Sequence, residues 1–268
     1  MRPLGNATQF RQLCLAFGRE ALRDKRAMLT MLFTFAGALV AITLCDVVLA
    51  VGHSETAGSA HLPTLGIVRA SLPTLALIGC CSLAFVTTAT PLVTYRATGV
   101  LQHLSTTPIR SVPLVTAHLV ARLPVSAVQV ALIVGLALGF ATPSPAALSR
   151  FTLVLSAGFA FFLSLGCLIG ARFRSPERTM GFALIATMLV IATSGAAVPL
   201  ALLPQPLANV FTWLPTAFFV NALGAELATP TVEASAASPL LALAFVAAAA
   251  AVLSIAAATL HCFPGKNQ

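Results

Sequence analysis

Hydrophobic residues run through this chain in long, nearly charge-free stretches, and these stretches predict membrane-spanning helices. Six of them lie at about 27–51, 70–95, 118–140, 151–171, 180–203 and 239–261. Each is roughly 20–25 residues long, the length an α-helix needs to cross a hydrocarbon core of about 30 Å. None has the polar face at a period of 3.6 residues that marks a helix of a soluble protein. Because lipid offers backbone groups no partner, we expect an all-α integral membrane protein with six transmembrane helices.

The few charges predict the orientation of these helices. Only 8% of the residues are charged, and the chain carries 15 basic residues against 7 acidic ones. With six spans, thirteen of the fifteen basic residues fall on one side, and only Arg69 and Arg150 fall on the other. Loops rich in Lys and Arg stay in the cytoplasm, so both termini are expected there. The net charge of +8 is thus a topology signal, and nucleic-acid binding is not indicated.

The same count assigns individual charged residues to a side or a depth. Arg122, which precedes the charge-free part of the third span, is counted with the cytoplasmic segment between the second and third spans. No ionisable residue is then expected at mid-span depth, apart from Asp46 near the external end of the first span. A path without charged relays argues against a proton-driven pump.

The arm before the first span predicts an amphipathic helix over Asn6–Arg26. Phe10, Leu13 and Phe17 recur at i, i+3 and i+7, and we expect this face to be buried in the headgroup plane of the membrane. The charged residues of the interfacial helix are Arg19, Glu20, Arg23 and Asp24. Residues 1–26 are therefore one unit and 27–268 the six-span domain. The helix either anchors the topology alone or also touches a cytoplasmic partner.

Prolines shape the stretch between the fifth and sixth spans. Residues Pro204–Gly224 are apolar, but Pro206 and Pro215 divide them into pieces too short to cross the bilayer. We expect an external re-entrant hairpin here, which is tolerated where protein buries it. If the stretch crossed instead, the chain would have seven spans and an external C-terminus.

The segment between the second and third spans is the most specific part of the sequence. Ala97–Thr107 can form a short helix in which Leu101 and Leu104 share one face, and Pro108 ends it. Such a helix would lie on the cytoplasmic side, where a soluble domain could push it. An ordinary intracellular loop is the alternative.

A family resemblance rests on this segment. The pattern Arg-x-x-Gly-x-Leu-x-x-Leu-x-x-Thr-Pro resembles permease subunits of type-2 ABC transporters, in particular the daunorubicin-resistance-like drug exporters. The matching residues are Arg96, Gly99, Leu101, Leu104, Thr107 and Pro108. The arm from Arg19 to Asp24 resembles the family's entrance to the first span, and Leu214-Pro215 stands where the family usually has Asn-Pro.

The resemblance implies an exporter in which this chain is not the enzyme. The chain has no Gly-x-x-x-x-Gly-Lys-Ser/Thr sequence, so ATP and Mg²⁺ are expected on a separate ATPase subunit, which receives the Ala97–Thr107 helix. Two permeases and two ATPases would then move a hydrophobic or amphipathic drug, lipid or glycolipid out through a bacterial inner membrane. In such permeases the second and fifth spans border the path. This suggests four hydroxyl residues as path residues, although each could instead bond its own helix backbone: Thr87, Thr88, Thr193 and Ser194.

Two other classes remain open. A secondary transporter or channel, not driven by ATP, would normally show two related halves with broken spans, and neither is evident. A membrane enzyme needs clustered catalytic groups at membrane depth, but His118 is isolated near Arg122 and the other histidines lie in loops or at the tail. His53, Glu55 and His61 lack the spacing of a metal site, and the six cysteines indicate free thiols, so no catalytic or metal-binding residues are expected.

Overall fold

The part of the chain that the structure describes consists of helices joined by short turns and connections. A computed structural model describes residues 6–23, 25, 29, 32–41, 43–44, 64–100, 111–194, 204, 206, 214–227 and 237–261. A π-helical turn, Leu83–Ala89, joins two of its helices. The helices are α1 (Asn6–Arg23), α2 (Thr64–Ser82), α3 (Thr90–Ala97), α4 (Ser111–Phe140), α5 (Pro145–Arg172), α6 (Pro176–Thr193), α7 (Pro215–Leu227) and α8 (Ala237–His261).

Four helical segments of the described part are long and apolar enough to cross a bilayer. They are Ser71–Ala97, Leu114–Phe140, Pro145–Arg172 and Pro239–Ala258. They coincide with the predicted second, third, fourth and sixth spans and confirm the all-α membrane class. The predicted first span is described only in part, around a short apolar helix at Leu32–Ala41. The 18 helical residues of α6 cover part of the fifth, so the six-span count stays a prediction.

The bundle has two ends with different chemistry. The end of α3, the start of α4, the end of α5 and the start of α6 lie together, and Arg96, Arg172, Arg174 and Arg178 lie there. We call this the arginine-rich end. The start of α2, the junction of α4 with α5, and the end of α7 form the opposite end.

The start of α4 corrects the predicted third span. The helix begins at Ser111, before the expected start near residue 118, and Arg122 lies inside it with 2% of its surface exposed. Arg122 therefore lies within the long apolar helix Leu114–Phe140 and not in the segment before it, where the charge count placed it. That count assigned every charged residue near the end of a span to the adjoining segment. Burial against neighbouring helices lets a basic side chain lie within a span.

Glycines let α5 pack against the backbone of the second span. A methyl group added at Gly166 would overlap the carbonyl of Ala84, and one at Gly170 would lie 3.0 Å from the carbonyl oxygen of Ala89. Small residues four apart allow such close helix approach in membranes, where packing replaces the hydrophobic drive. These two glycines therefore fix the distance between α5 and the π-helical turn.

The short helix α7 lies in a cleft at the opposite end. Phe219 is fully buried, its ring occupies the space where Gly158 lacks a side chain, and it contacts Phe162 and Phe245 with centroids 6.1 and 5.9 Å away. Pro215 was expected to break a helix, but it begins one, because the first helical residue needs no N–H partner. Thirteen residues reach about 20 Å, too short to cross. The other arm of the predicted hairpin lies mostly outside the described residues.

We predict that Gly166→Ala destabilises the protein while Gly135→Ala does not. The new methyl group at Gly166 would meet backbone that cannot move aside, and overpacking of this kind costs about 1–3 kcal/mol. Gly135 has open space around its Cα, and alanine there favours the helix. Thermal unfolding in detergent should show a lower Tm for Gly166→Ala alone. Equal Tm values for the two variants would contradict the close approach of α5.

Candidate functional site at the arginine-rich end

The second span ends in a defined turn before the predicted coupling segment. The N–H of Thr98 donates to the carbonyl of Thr94 at 2.9 Å, and the N–H of Gly99 donates to Arg96 at 3.2 Å. Gly99 has a φ of 75°, a left-handed conformation that glycine adopts without strain. The predicted helix over Ala97–Thr107 is therefore wrong at its start. Two turn residues separate α3 from Val100, which is helical again.

Arg96 ties this turn to the next helix pair. Its Nη1 donates to the carbonyl of Phe173 at 3.2 Å, and Phe173 caps the end of α5. A cation at the negative end of a helix dipole is favourable. Phe173 in turn contacts Phe182 of α6, with ring centroids 5.0 Å apart. The residue that opens the predicted motif thus connects α3 to the α5–α6 junction.

The remaining coupling residues lie outside the described part of the chain. These are Leu101, Leu104, Thr107 and Pro108, together with Asp24 of the arm. The two flanks of the segment, Gly99 and Ser111, are described and lie at the arginine-rich end. The coupling role of the segment therefore stays a prediction.

The N-terminal helix α1 packs against this end of the bundle. Its apolar face, Phe10, Leu13, Cys14 and Phe17, lies on Leu92 and Tyr95 of α3 and on Leu114, Ala117 and Ala121 of α4. Arg11, Arg19, Glu20 and Arg23 are exposed. The predicted amphipathic pattern is confirmed, but the apolar face is covered by protein and not by lipid headgroups. The physical reason is that α3 and α4 offer a matching apolar surface.

An aromatic cluster forms the centre of this contact. Phe17 lies 5.6 Å from Tyr95 and 5.7 Å from His118, and Tyr95 lies 6.0 Å from His118, between ring centroids. The contacts of His118 are edge-on, a favourable arrangement worth about 1 kcal/mol each. His118 is 1% exposed, so α1 reaches a residue that lies deep in the bundle.

A buried polar layer continues from His118. Its Nε2 lies 3.2 Å from the carbonyl oxygen of Thr88, and since a carbonyl only accepts, Nε2 carries the hydrogen. Arg122 lies one turn further along α4 and is also buried, with 2% of its surface exposed. His118 is isolated in the sequence, because its partner is a backbone group of another helix.

Four predicted path residues direct their hydroxyls to their own helices. Thr87 and Thr88 both donate to the carbonyl of Leu83, at 2.6 and 3.0 Å. Thr193 donates to Leu189 at 2.7 Å and Ser194 to Ile191 at 2.8 Å. This is the alternative that the sequence left open for each of them. Their role in a translocation path stays a prediction.

The threonines mark the π-helical turn that the sequence prediction missed. Thr90 donates through both its N–H and its hydroxyl to the carbonyl of Phe85, five residues earlier. Threonine hydroxyls compete for helix carbonyls and can bend the backbone. The close sequence Thr87-Thr88-Ala89-Thr90 was therefore a signal that the second span is irregular.

Two arginines hold α7 at the opposite end. Arg69 of α2 donates through Nε to the carbonyl of Leu227 at 2.6 Å, and its Nη2 donates to the same oxygen. Arg150 of α5 pairs with Glu226, with Nε 3.0 Å from Oε2, and Glu226 is 5% exposed. These are the two basic residues that the orientation count left on the far side. A long-range partner of this kind leaves no local sequence signal.

A cavity of about 460 Å³ lies between α4 and α5. Its walls include Leu123, Val130, Val134, Phe159 and Leu163. The hydroxyls on its lining, from Ser126, Thr152 and Ser156, all donate to carbonyls of their own helices. Its surface is therefore apolar in character.

Reactive and metal-binding groups are sparse in the part of the chain that is described. No group of three or more His, Cys, Asp or Glu residues there could hold a metal ion. The cysteines described, Cys14, Cys80, Cys81 and Cys167, are free thiols as expected.

We predict that Phe17→Ala releases α1 and exposes Cys14. Burial of α1 on the bundle raises the pKa of the Cys14 thiol, so the reactive thiolate is scarce at neutral pH while the helix is docked. Removing a buried phenylalanine costs about 3 kcal/mol, so maleimide labelling of the Cys14 peptide should accelerate about tenfold or more. Mass spectrometry measures the rate. Leu15→Ala, on the exposed face of α1, is the control, and equal rates in both variants would exclude the docking.

We predict that Arg150→Met lowers Tm because it leaves the Glu226 carboxylate buried without its ion-pair partner. An unpaired buried charged group costs about 1–3 kcal/mol or more. The double variant Arg150→Met with Glu226→Gln should regain part of the loss, since no buried charge remains. Arg172→Met, at the exposed end of the same helix, is the control. A loss no larger than that of the control would show that the pair contributes nothing.

Comparison with known proteins identifies a family for this chain. A search of curated proteins finds no match to the chain. The family model described as ABC-2 family transporter protein matches residues 53–259, well over half of the 268 residues. The match covers α2 to α7, including the π-helical turn, and all but the last two residues of α8. The chain belongs to the ABC-2 transporter family.

Proposed function

We propose that this chain forms the translocation path of an ATP-driven exporter. Its membership of the ABC-2 transporter family supports a membrane permease component and implies an ATPase partner, and this observation carries the proposal. Export, substrate class and the point of ATPase contact go beyond the family match.

The segment between α3 and α4 is the proposed contact for the ATPase. Force applied to residues 100–110 would reach α3 through the Gly99 turn and α4 through Ser111. The bond from Arg96 to Phe173 would carry it further, to the junction of α5 and α6. The segment is thus linked to four helices at one end of the bundle.

Orientation follows from the basic residues. The arginine-rich end would face the cytoplasm of a bacterial cell, with both termini on that side of the inner membrane. Arg69 and Arg150, on the external side in this orientation, have specific partners on α7. The ATPase contact would then lie where ATP is.

The proposed substrate is a hydrophobic or amphipathic compound such as a drug, lipid or glycolipid. The cavity between α4 and α5 is apolar, and its hydroxyls are already bonded to their own helices. Such a surface favours apolar ligands, because it has few polar groups to offer. A daunorubicin-like drug is the first compound to test, given the resemblance of the coupling motif.

Two copies of the permease with two ATPase subunits are the proposed assembly. One face of α6 is exposed and apolar along its length, at Leu184, Ile185, Met188 and Leu189. Lipid or a second permease would cover such a face. ATP and Mg²⁺ would bind only the ATPase subunits.

We predict that Leu101→Asp with Leu104→Asp uncouples the complex. Two carboxylates on the proposed docking face would weaken ATPase contact, and the loss of a central apolar anchor costs about 2 kcal/mol or more. ATP-driven uptake of daunorubicin into inside-out vesicles should fall about tenfold or more. ATP hydrolysis by the copurified ATPase should continue, so that hydrolysis is uncoupled from transport, and insertion of the permease should be unchanged.

Gln102→Asp with Ser105→Asp is the matched control, because it adds the same charges at the same spacing to the same segment. This variant should keep most of the activity. Normal transport in the leucine variant would exclude the docking assignment. Transport by the wild-type chain without ATP would instead favour a secondary transporter or channel and exclude the proposed function.

A further inference from the structure

The second span departs from α geometry at its π-helical turn, Leu83–Ala89. A π turn holds one more residue than an α turn, and such turns are rare and often found at functional sites. If the turn relaxed to α geometry, the helix beyond it would rotate by about 100°, the angle of one residue. Everything from Thr90 to Ala97, including Arg96, lies beyond it. The state of Leu83–Ala89 therefore sets the direction of the arginine-rich end of this span.

Two neighbouring helices hold the turn in different ways. On one side, Gly166 and Gly170 of α5 contact the carbonyls of Ala84 and Ala89 by close packing. On the other, His118 of α4 donates a hydrogen bond to the carbonyl of Thr88 at 3.2 Å. The packing contact has no directional partner, whereas the hydrogen bond depends on where the imidazole ring points.

The position of that ring depends on the N-terminal helix. Phe17 of α1 contacts the His118 ring edge-on at 5.7 Å and also packs on Tyr95 at 5.6 Å. Phe17 and Tyr95 are each 8% exposed, so both rings are held in place. Removing Phe17 from this cluster would free one face of the imidazole. A chain of direct contacts thus runs from α1 to the Thr88 carbonyl.

We propose that His118 is a positioning residue that couples the docking of α1 to the π-helical turn. With α1 docked, Phe17 keeps the imidazole on the Thr88 carbonyl and the turn is held. When α1 moves, the hydrogen bond is lost and the turn can change its winding. The idea that ATP causes this movement of α1 rests on the proposed function. The chain of contacts from Phe17 to the Thr88 carbonyl does not depend on that function.

Hydrogen exchange over residues 83–97 tests the contact chain in the full-length permease without nucleotide. His118→Leu keeps the bulk but removes the donor, and exchange should accelerate about fivefold. His118→Gln keeps an N–H donor at similar reach and should restore slow exchange. Phe17→Ala, which lies outside the spans, should also accelerate exchange over residues 83–97. Val120→Ala, exposed on the same helix as His118, is the control.

A second measurement uses the permease in complex with its copurified ATPase. It follows the change in hydrogen exchange when nucleotide binds, which a histidine with only a structural role would not affect. A non-hydrolysable ATP analogue should change exchange over residues 83–97 in the wild type and in His118→Gln. In His118→Leu this response should disappear. A retained response in His118→Leu would overturn the coupling, as would wild-type exchange rates in the nucleotide-free Phe17→Ala chain. A wild-type complex with no response to nucleotide would contradict the proposed function, and the nucleotide-free variants would still decide the contact chain.

Discussion

The structure depends on one constraint. Inside a bilayer there is no water to donate a hydrogen bond to a backbone carbonyl, so the protein itself must supply the donor. Regular helices satisfy their own carbonyls, so the difficult places are helix ends and irregular turns. At three such places a basic or imidazole side chain from another helix donates to the carbonyl. Arg69 reaches Leu227 at the end of α7, Arg96 reaches Phe173 at the end of α5, and His118 reaches Thr88 in the π-helical turn. Each bond satisfies a carbonyl and also fixes one helix against another.

The same constraint explains why a serine or threonine within a span does not by itself identify a translocation path, because its hydroxyl can bond the helix backbone instead. Thr87, Thr88 and Thr90 supply donors to the carbonyls of a turn that deviates from α geometry. Close packing is equally important on the other side of that turn, where Gly166 leaves no room for a side chain. The second span can therefore be irregular without exposing polar backbone. An irregular turn that is satisfied in this way can persist, and it can also change if one donor moves.

Sequence alone predicted the helices well, because length and apolar character are summed over more than twenty residues. It predicted less about single polar residues, because their roles depend on partners far away in sequence. Arg122 was assigned outside the span and is buried within it, and His118 was treated as isolated. The amphipathic face of α1 was predicted correctly from Phe10, Leu13 and Phe17, but its partner was not. A hydrophobic face indicates that something covers it, and only the fold shows whether that is lipid or protein. The coupling motif was visible as a pattern, whereas the Gly99 turn that starts it required backbone geometry.

These contacts explain why two basic residues, Arg69 and Arg150, lie at the end of the bundle opposite the arginine-rich end. A basic residue in a short loop biases that loop to the cytoplasm, so an arginine on the external side opposes the bias and needs a compensating role. In the proposed orientation there are two such residues. Arg69 binds Leu227 and Arg150 binds Glu226, the last two residues of α7. Because α7 is too short to cross the bilayer, its position must be fixed by contacts with other helices. The two arginines join it to α2 and α5, and Phe219 fills the space left by Gly158. α7 is therefore expected to move together with the second and fourth spans, so any opening at this end of the bundle would have to occur between other helices.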